Sequence, residues 1–119
     1  GKIDLEALCK AMGIGRIRVV DPYNLAQCEQ ALREELAADE PSVIIVRRPC
    51  VLLKQVKTAA PLTVDPAKCV GCRACMKLGC PSISIRDKKA HIDETLCVGC
   101  GVCKELCRMD AFTGKTMMD

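Results

Sequence analysis

Between Ile3 and Arg48 the spacing of apolar residues switches between a helical and an extended rhythm, which predicts the order helix, strand, helix, strand. Asp4 is placed to cap a short helix carrying Leu5, Leu8 and Met12 at helical spacing, and Gly13 is a natural stop for it. Ile17, Val19 and Val20 predict a strand that runs into the turn signal Asp21-Pro22. Asn24 is the expected cap of a second helix, and Gln27 completes the pattern of a capping box. The apolar stripe of that helix reads Leu25, Cys28, Leu32 and Leu36, with Pro41 just past its end. Val43-Ile44-Ile45-Val46 is continuously apolar, as a strand covered on both faces would be, which predicts strand-helix-strand units of a parallel sheet. Two strands and two helices cannot close such a domain, so residues 1–50 read as the edge of a larger α/β domain, or as a surface that another chain covers.

Residues 51–61 carry Lys54 and Lys57 between prolines at positions 49 and 61 and read as a linker. From residue 62 to 119 the grammar is short segments around an internal repeat. Cys69-Val70-Gly71-Cys72-Arg73-Ala74-Cys75 is followed by Cys80 and Pro81, and Cys97-Val98-Gly99-Cys100-Gly101-Val102-Cys103 is followed by Cys107. The first three cysteines of the two copies share one constant offset, which marks a duplication. Ile83 to Arg86 and Ala90 to Asp93 predict a hairpin turning at Asp87-Lys88-Lys89.

Composition sharpens the picture at three points. Eleven of the 119 residues are cysteine, a density that suggests either a disulfide scaffold or a metal protein. The N-terminus has no basic stretch leading into an apolar core, and no apolar run approaches the roughly 20 residues needed to cross a bilayer, so a cytoplasmic location without a membrane partner is expected. There reduced cysteines more often hold metal or do redox chemistry than pair. Tryptophan is absent, and Tyr23 and Phe112 are the only aromatics, so a small core would gain from inorganic filler. The formal charge of +3 counts the metal-free chain. With eight cysteines ionised around two oxidised cluster cores the charge would fall to about −1, and no nucleic-acid partner is inferred from it.

Three cysteines at intervals of three let one tight loop wrap three corners of a cube, while a fourth farther on starts a helix toward the other site. Structural zinc instead uses two Cys-x-x-Cys pairs across a longer loop, and a third cysteine beside each pair does not suit one tetrahedral ion. Residues 62–113 resemble the two-cluster bacterial ferredoxin family. Carried over by that resemblance, Cys69, Cys72, Cys75 and Cys107 hold a first 4Fe–4S cluster, and Cys97, Cys100, Cys103 and Cys80 hold a second. Gly71, Gly99 and Gly101 would turn backbone amides toward the sulfurs. Four residues separate Cys75 from Cys80 where the family has three, and Arg108 follows Cys107 where proline is typical, which places a cation near the first cluster.

The first half adds a second resemblance. Val20-Asp21-Pro22-Tyr23-Asn24, the capped helix, and Pro41-Ser42-Val43-Ile44-Ile45-Val46-Arg47-Arg48-Pro49-Cys50 ahead of a two-cluster module resemble the C-terminal end of the α subunit of indolepyruvate ferredoxin oxidoreductase. The resemblance implies an α+β chain, a two-cluster ferredoxin-like domain preceded by a partial α/β segment that closes a thiamine-diphosphate-binding domain. It implies electron transfer from oxidative decarboxylation of an aryl pyruvate to an external ferredoxin, with the remaining domains or subunits of an α/β heteromer as partners. No Gly-Asp-Gly with a downstream Asn occurs here, so thiamine diphosphate and magnesium are expected only in the larger enzyme, and this chain is not expected to decarboxylate by itself. A stand-alone ferredoxin-like carrier is the alternative.

Several residues invite bolder readings than their surroundings support. Cys9 and Cys28 lie on apolar helix faces and read as buried packing residues. Cys50 reads as a linker thiol, His91 as a solvated strand residue, and Arg33-Glu34-Glu35 as an ordinary wet helix face. Met117 and Met118 are expected to fray.

Overall fold

A computed structural model describes residues 2–118. The chain forms two compact units, residues 1–49 and 50–119.

The first unit has the expected element order. Helix α1 (Leu5–Ala11) is capped by Asp4, whose Oδ1 accepts the amides of Glu6 and Ala7 at 3.0 and 3.1 Å. Strand β1 (Arg16–Val20), helix α2 (Leu25–Leu36) and strand β2 (Ser42–Val46) follow. The strands pair in parallel, Arg16 opposite Ser42 through Val20 opposite Val46. Asn24 Oδ1 accepts the Gln27 amide at 2.9 Å, but Gln27 Oε1 takes the Asp21 amide at 3.1 Å, so the capping box closes on one side only.

Two expectations fail in α2. Its inward residues are Ala31 and Glu35, whereas Leu32 is exposed and Leu36 is 83% exposed. The cause is electrostatic. Glu35, only 6% exposed, accepts from Arg16 Nε at 2.8 Å and Arg18 Nε at 2.9 Å, and Glu34 pairs with Arg18. Two arginines on β1 thus select which face of α2 turns inward, and Glu35 leaves the wet face assigned to it. The sheet has only these two strands among the described residues, and Val46 is 61% exposed, so its faces are not covered as the continuous apolar run predicts.

The second unit is built from small paired pieces. Strand β3 (Thr63–Val64) pairs antiparallel with β6 (Phe112–Thr113), tying its beginning to its end, and Thr63 and Thr113 share a hydroxyl hydrogen bond of 2.7 Å. A 3-10 helix (Ala74–Leu78), the hairpin β4 (Ile83–Arg86) and β5 (Lys89–Ile92), and helix α3 (Val102–Leu106) lie between. The hairpin turns in two residues, Asp87 and Lys88, both at positive φ, so Lys89 belongs to the strand rather than the turn. Leu62 and Phe112 are fully buried, and they share a core with Ile83, Ile92, Ala111 and the thiols of Cys69, Cys75 and Cys103. Residues 51–61 lie within this unit, and residues 116 and 117 are held in place: the Met117 amide donates to Gly99 O at 2.9 Å and Thr116 is buried. Met117 is thus pinned where fraying is expected.

Candidate metal centres

The duplication is visible atom by atom. Asp65 Oδ1 accepts the Ala67 amide and Asp93 Oδ1 the Thr95 amide, at 2.8 and 2.9 Å. Each aspartate carbonyl then accepts the amide of the first cysteine of its loop, Cys69 at 3.0 Å and Cys97 at 3.1 Å. These turns launch two equivalent loops. Arg73 and Gly101, at corresponding positions, both adopt left-handed backbone (φ 60 and 89) and start a helical turn at once. The third cysteine of each copy, Cys75 or Cys103, therefore lies inside the helix, and the fourth follows its end. The fourth cysteine does not begin a helix as its spacing suggests. Gly79 (φ 67) stops the first helix, and Cys107 itself caps the second in extended backbone.

Eight thiols sort into two cavities. Cys69, Cys72, Cys75 and Cys107 line one of about 370 Å³, counting its open mouth, with Ile85 and Phe112 among the walls. Cys80, Cys97, Cys100 and Cys103 line another of about 770 Å³, walled in part by Val51, Leu52 and Ile92. Each cavity takes three thiols from one copy of the repeat and its fourth from the other.

The sulfurs influence one another within these same groups. Burial, and then the charges of Cys69, Cys72 and Cys107, push the Cys75 thiol up. Burial, followed by Cys100, Cys97 and Cys80, pushes Cys103 up to about 12. Cys69 moves the other way, because the amides of Ala90 (3.4 Å) and Gly71 donate to its sulfur and Lys89 lies near. Thiolates are the ligand form of cysteine, and gathering four of them against apolar walls is unfavourable without a compensating cationic core. Yet the groups do not converge on a point: among the described residues, no three His, Cys, Asp or Glu side chains are disposed to hold one metal ion. Soft donors, four to a cavity and spread around its walls, fit a cluster with one metal at each corner.

The remaining cysteines lie outside both cavities. Cys9 and Cys28 are half-buried rather than fully packed, and the Cys28 thiol donates to Asp21 O at 3.2 Å. Cys50 is exposed. His91 is half-buried, not solvated: Nε2 lies 3.4 Å from Arg86 Nη1, while Nδ1 is buried without a hydrogen-bond partner. It lines neither thiol cavity. Sequence reasoning missed the walls supplied by Val51 and Leu52, for which the apolar run Val51-Leu52-Leu53 was the available signal. It also missed Ala90 and Lys89, whose contacts with Cys69 depend on hairpin register.

Comparison with known proteins supports an iron–sulfur electron-transfer segment. Residues 90–113, which contain Cys97, Cys100, Cys103 and Cys107, match the 4Fe-4S binding domain family. Over 93% of its length the chain is 37% identical to indolepyruvate oxidoreductase subunit IorA of Pyrococcus abyssi, and equally to that of Thermococcus kodakarensis, covering 18% of each. Against the same subunit of Methanothermobacter marburgensis it is 32% identical over 88% of its length, covering 17%. The resemblance to the C-terminal part of the indolepyruvate ferredoxin oxidoreductase α subunit is thereby borne out, and the chain spans under a fifth of the length of these curated relatives. Among the described residues no helix is long and apolar enough to cross a membrane.

Proposed function

We propose that this chain holds two 4Fe–4S clusters, the first on Cys69, Cys72, Cys75 and Cys107 and the second on Cys97, Cys100, Cys103 and Cys80. The observation that carries the proposal is the sorting of these eight thiols into two cavities, each completed by the opposite copy of the repeat. A cluster bound in such a cavity supplies reversible one-electron transfer. The chain's own residues supply the rest: amides of Ala90 and Gly71 stabilise thiolate at Cys69, the buried Phe112 and half-buried Ile85 give the first cavity apolar walls, and Val51 lines the second.

Residues 62–119 would then be a two-cluster ferredoxin-type domain, residues 51–61 the segment leading into it, and residues 1–50 a partial α/β segment from the end of a thiamine-diphosphate-binding domain. The two-stranded parallel sheet with exposed apolar residues supports a need for further domains or subunits to cover it. In that larger indolepyruvate oxidoreductase, at work in the cytoplasm, electrons from 2-oxoacid oxidation pass through this segment to an external ferredoxin. Thiamine diphosphate and magnesium are assigned to the rest of the enzyme.

Anaerobic protein should contain about eight iron and eight acid-labile sulfide per chain, with coupled spins in low-temperature EPR of the reduced form. Cys107→Ser should disturb the cluster of the first loop and Cys80→Ser that of the second. Stoichiometric zinc, or EPR in which each substitution affects its own loop, would defeat the assignment.

A further inference from the structure

The two thiol cavities are equivalent in sequence and unequal in surroundings. Around the second, Ala59 and Ala60 press on Gly99, and Thr116 and Met118 press on Gly101. Val98 and Cys100 are half-buried there, and Gly99 and Gly101 are buried. At the corresponding positions of the first copy, Val70, Cys72 and Arg73 are all exposed. Val70 is 61% exposed and Met109 45%, and both line the first cavity. Three exposed cations lie on the chain segments that meet at this apolar centre. Arg73 lines the same cavity, the Lys88 carbonyl abuts Gly71, and Arg108 lies between Cys107 and Met109; all three side chains are exposed. Of the nearby acids, Asp110 is paired with Lys68 at 3.6 Å, and Asp87 shares the hairpin turn with Lys88.

Two of these cations are held against backbone preference. Arg73 (φ 60) and Lys88 (φ 62) are left-handed, a conformation costing a side-chain-bearing residue roughly 1–2 kcal/mol. The other copy has glycine at the position of Arg73, so the loop does not require an arginine. The two-residue hairpin turn accounts for Lys88, so the left-handed backbone that folding leaves unexplained is at the exposed Arg73, and strain kept at an exposed cation points to recognition.

We infer that the face centred on Val70 and Met109 and rimmed by Arg73, Lys88 and Arg108 is the docking surface for an acidic one-electron acceptor protein. This rests on the cluster assignment above. The exchange it serves takes one electron from the reduced chain and adds it to the oxidised acceptor beside Cys72, which is exposed where its counterpart Cys100 is half-buried. An apolar centre supplies contact area, and the basic rim speeds encounter and fixes orientation.

The test uses the iron-loaded chain and an acidic ferredoxin as probe, with affinity read by calorimetry and electron delivery by stopped-flow absorbance. Arg73→Glu with Lys88→Glu should weaken binding and slow delivery roughly tenfold or more at low salt, and raising the salt should erase the difference. Reversal of the exposed Lys115 should change either by less than about twofold. Arg73→Gly with Lys88→Gly, which suits the backbone, should give a smaller loss in the same direction. Iron is counted in every sample. Iron-free wild-type protein sinks the cluster assignment and this proposal with it. Loaded double variant with unchanged affinity, or a face that binds a DNA duplex and not the ferredoxin, sinks the docking surface alone.

Discussion

Gly71 lies so close to Lys88 that a Cβ on it would stand 2.2 Å from the Lys88 carbonyl oxygen. The first cysteine loop and the tip of the β4–β5 hairpin are thus in backbone contact at a position that only glycine fits. Two consequences follow for Gly71→Ala. Its φ of 72 would cost about 1–2 kcal/mol with any side chain, and the hairpin tip must also shift, which disturbs the Ala90 amide on the Cys69 sulfur. The expected result is loss of about half the bound iron, confined to the first cavity, together with a lower melting temperature. Full iron content with an unchanged melt would show that the hairpin yields freely.

Arg73→Gly should act in the opposite direction on stability. The loop already has the backbone that glycine prefers, and the equivalent Gly101 adopts it at φ 89. Removing the left-handed cost, less the greater chain entropy of glycine, should stabilise the chain by about 1 kcal/mol. Thermal unfolding under anaerobic conditions measures it, and a destabilised variant would mean that the Arg73 side chain contributes packing. Greater stability joined to weaker ferredoxin binding would show that recognition opposes stability at this residue.

The duplicated cysteines and the helix, strand, helix, strand order were legible because spacing and caps are local properties. Asp4 and Asn24 cap the helices their positions predict, and the strands near Ile17 and Val43 pair in parallel. Features set by partners distant in the chain were not legible. Leu32 and Leu36 form an apolar stripe, but nothing in that stripe reveals that Arg16 and Arg18 will draw Glu35 inward. The same holds for residues 51–61. Prolines and charge mark a linker, and only folding shows Val51 and Leu52 against the second cavity.

Glu35 gives the first unit a dependence on acid. The hydrogen bond from Arg16, opposed by burial and reinforced by Arg18, holds its carboxyl below the ordinary 4.5. A carboxylate with a lowered native pKa stabilises the fold above its unfolded value, and that contribution is lost as pH falls through the native value. Hydrogen-exchange protection of residues 16–20, corrected for intrinsic rates, should therefore be steady near neutrality and decline below about pH 4.5. Glu35→Gln should be less protected at neutral pH and should decline less across the acid window, the remainder coming from Glu34 on Arg18. A parallel decline in the variant would assign the acid sensitivity to other groups.

Arg108 offers the most direct reading of electrostatics at the first cavity. It follows Cys107, the thiol lent by the second copy of the repeat, and it stands where the ferredoxin family usually has proline. A fixed positive charge there favours the more negative, reduced state of whatever the four thiolates hold. Its side chain is exposed, so water screens it, and the effect should be on the order of tens of millivolts rather than hundreds. In Arg108→Pro the midpoint assigned to the first cavity should fall while the other holds steady, and the gap between variant and wild type should narrow with added salt. Arg108→Lys keeps the charge and should retain the wild-type midpoint. Because proline also removes a backbone donor, the lysine variant separates the two causes. If Arg108→Lys falls as far as Arg108→Pro, side-chain charge is not what sets the potential.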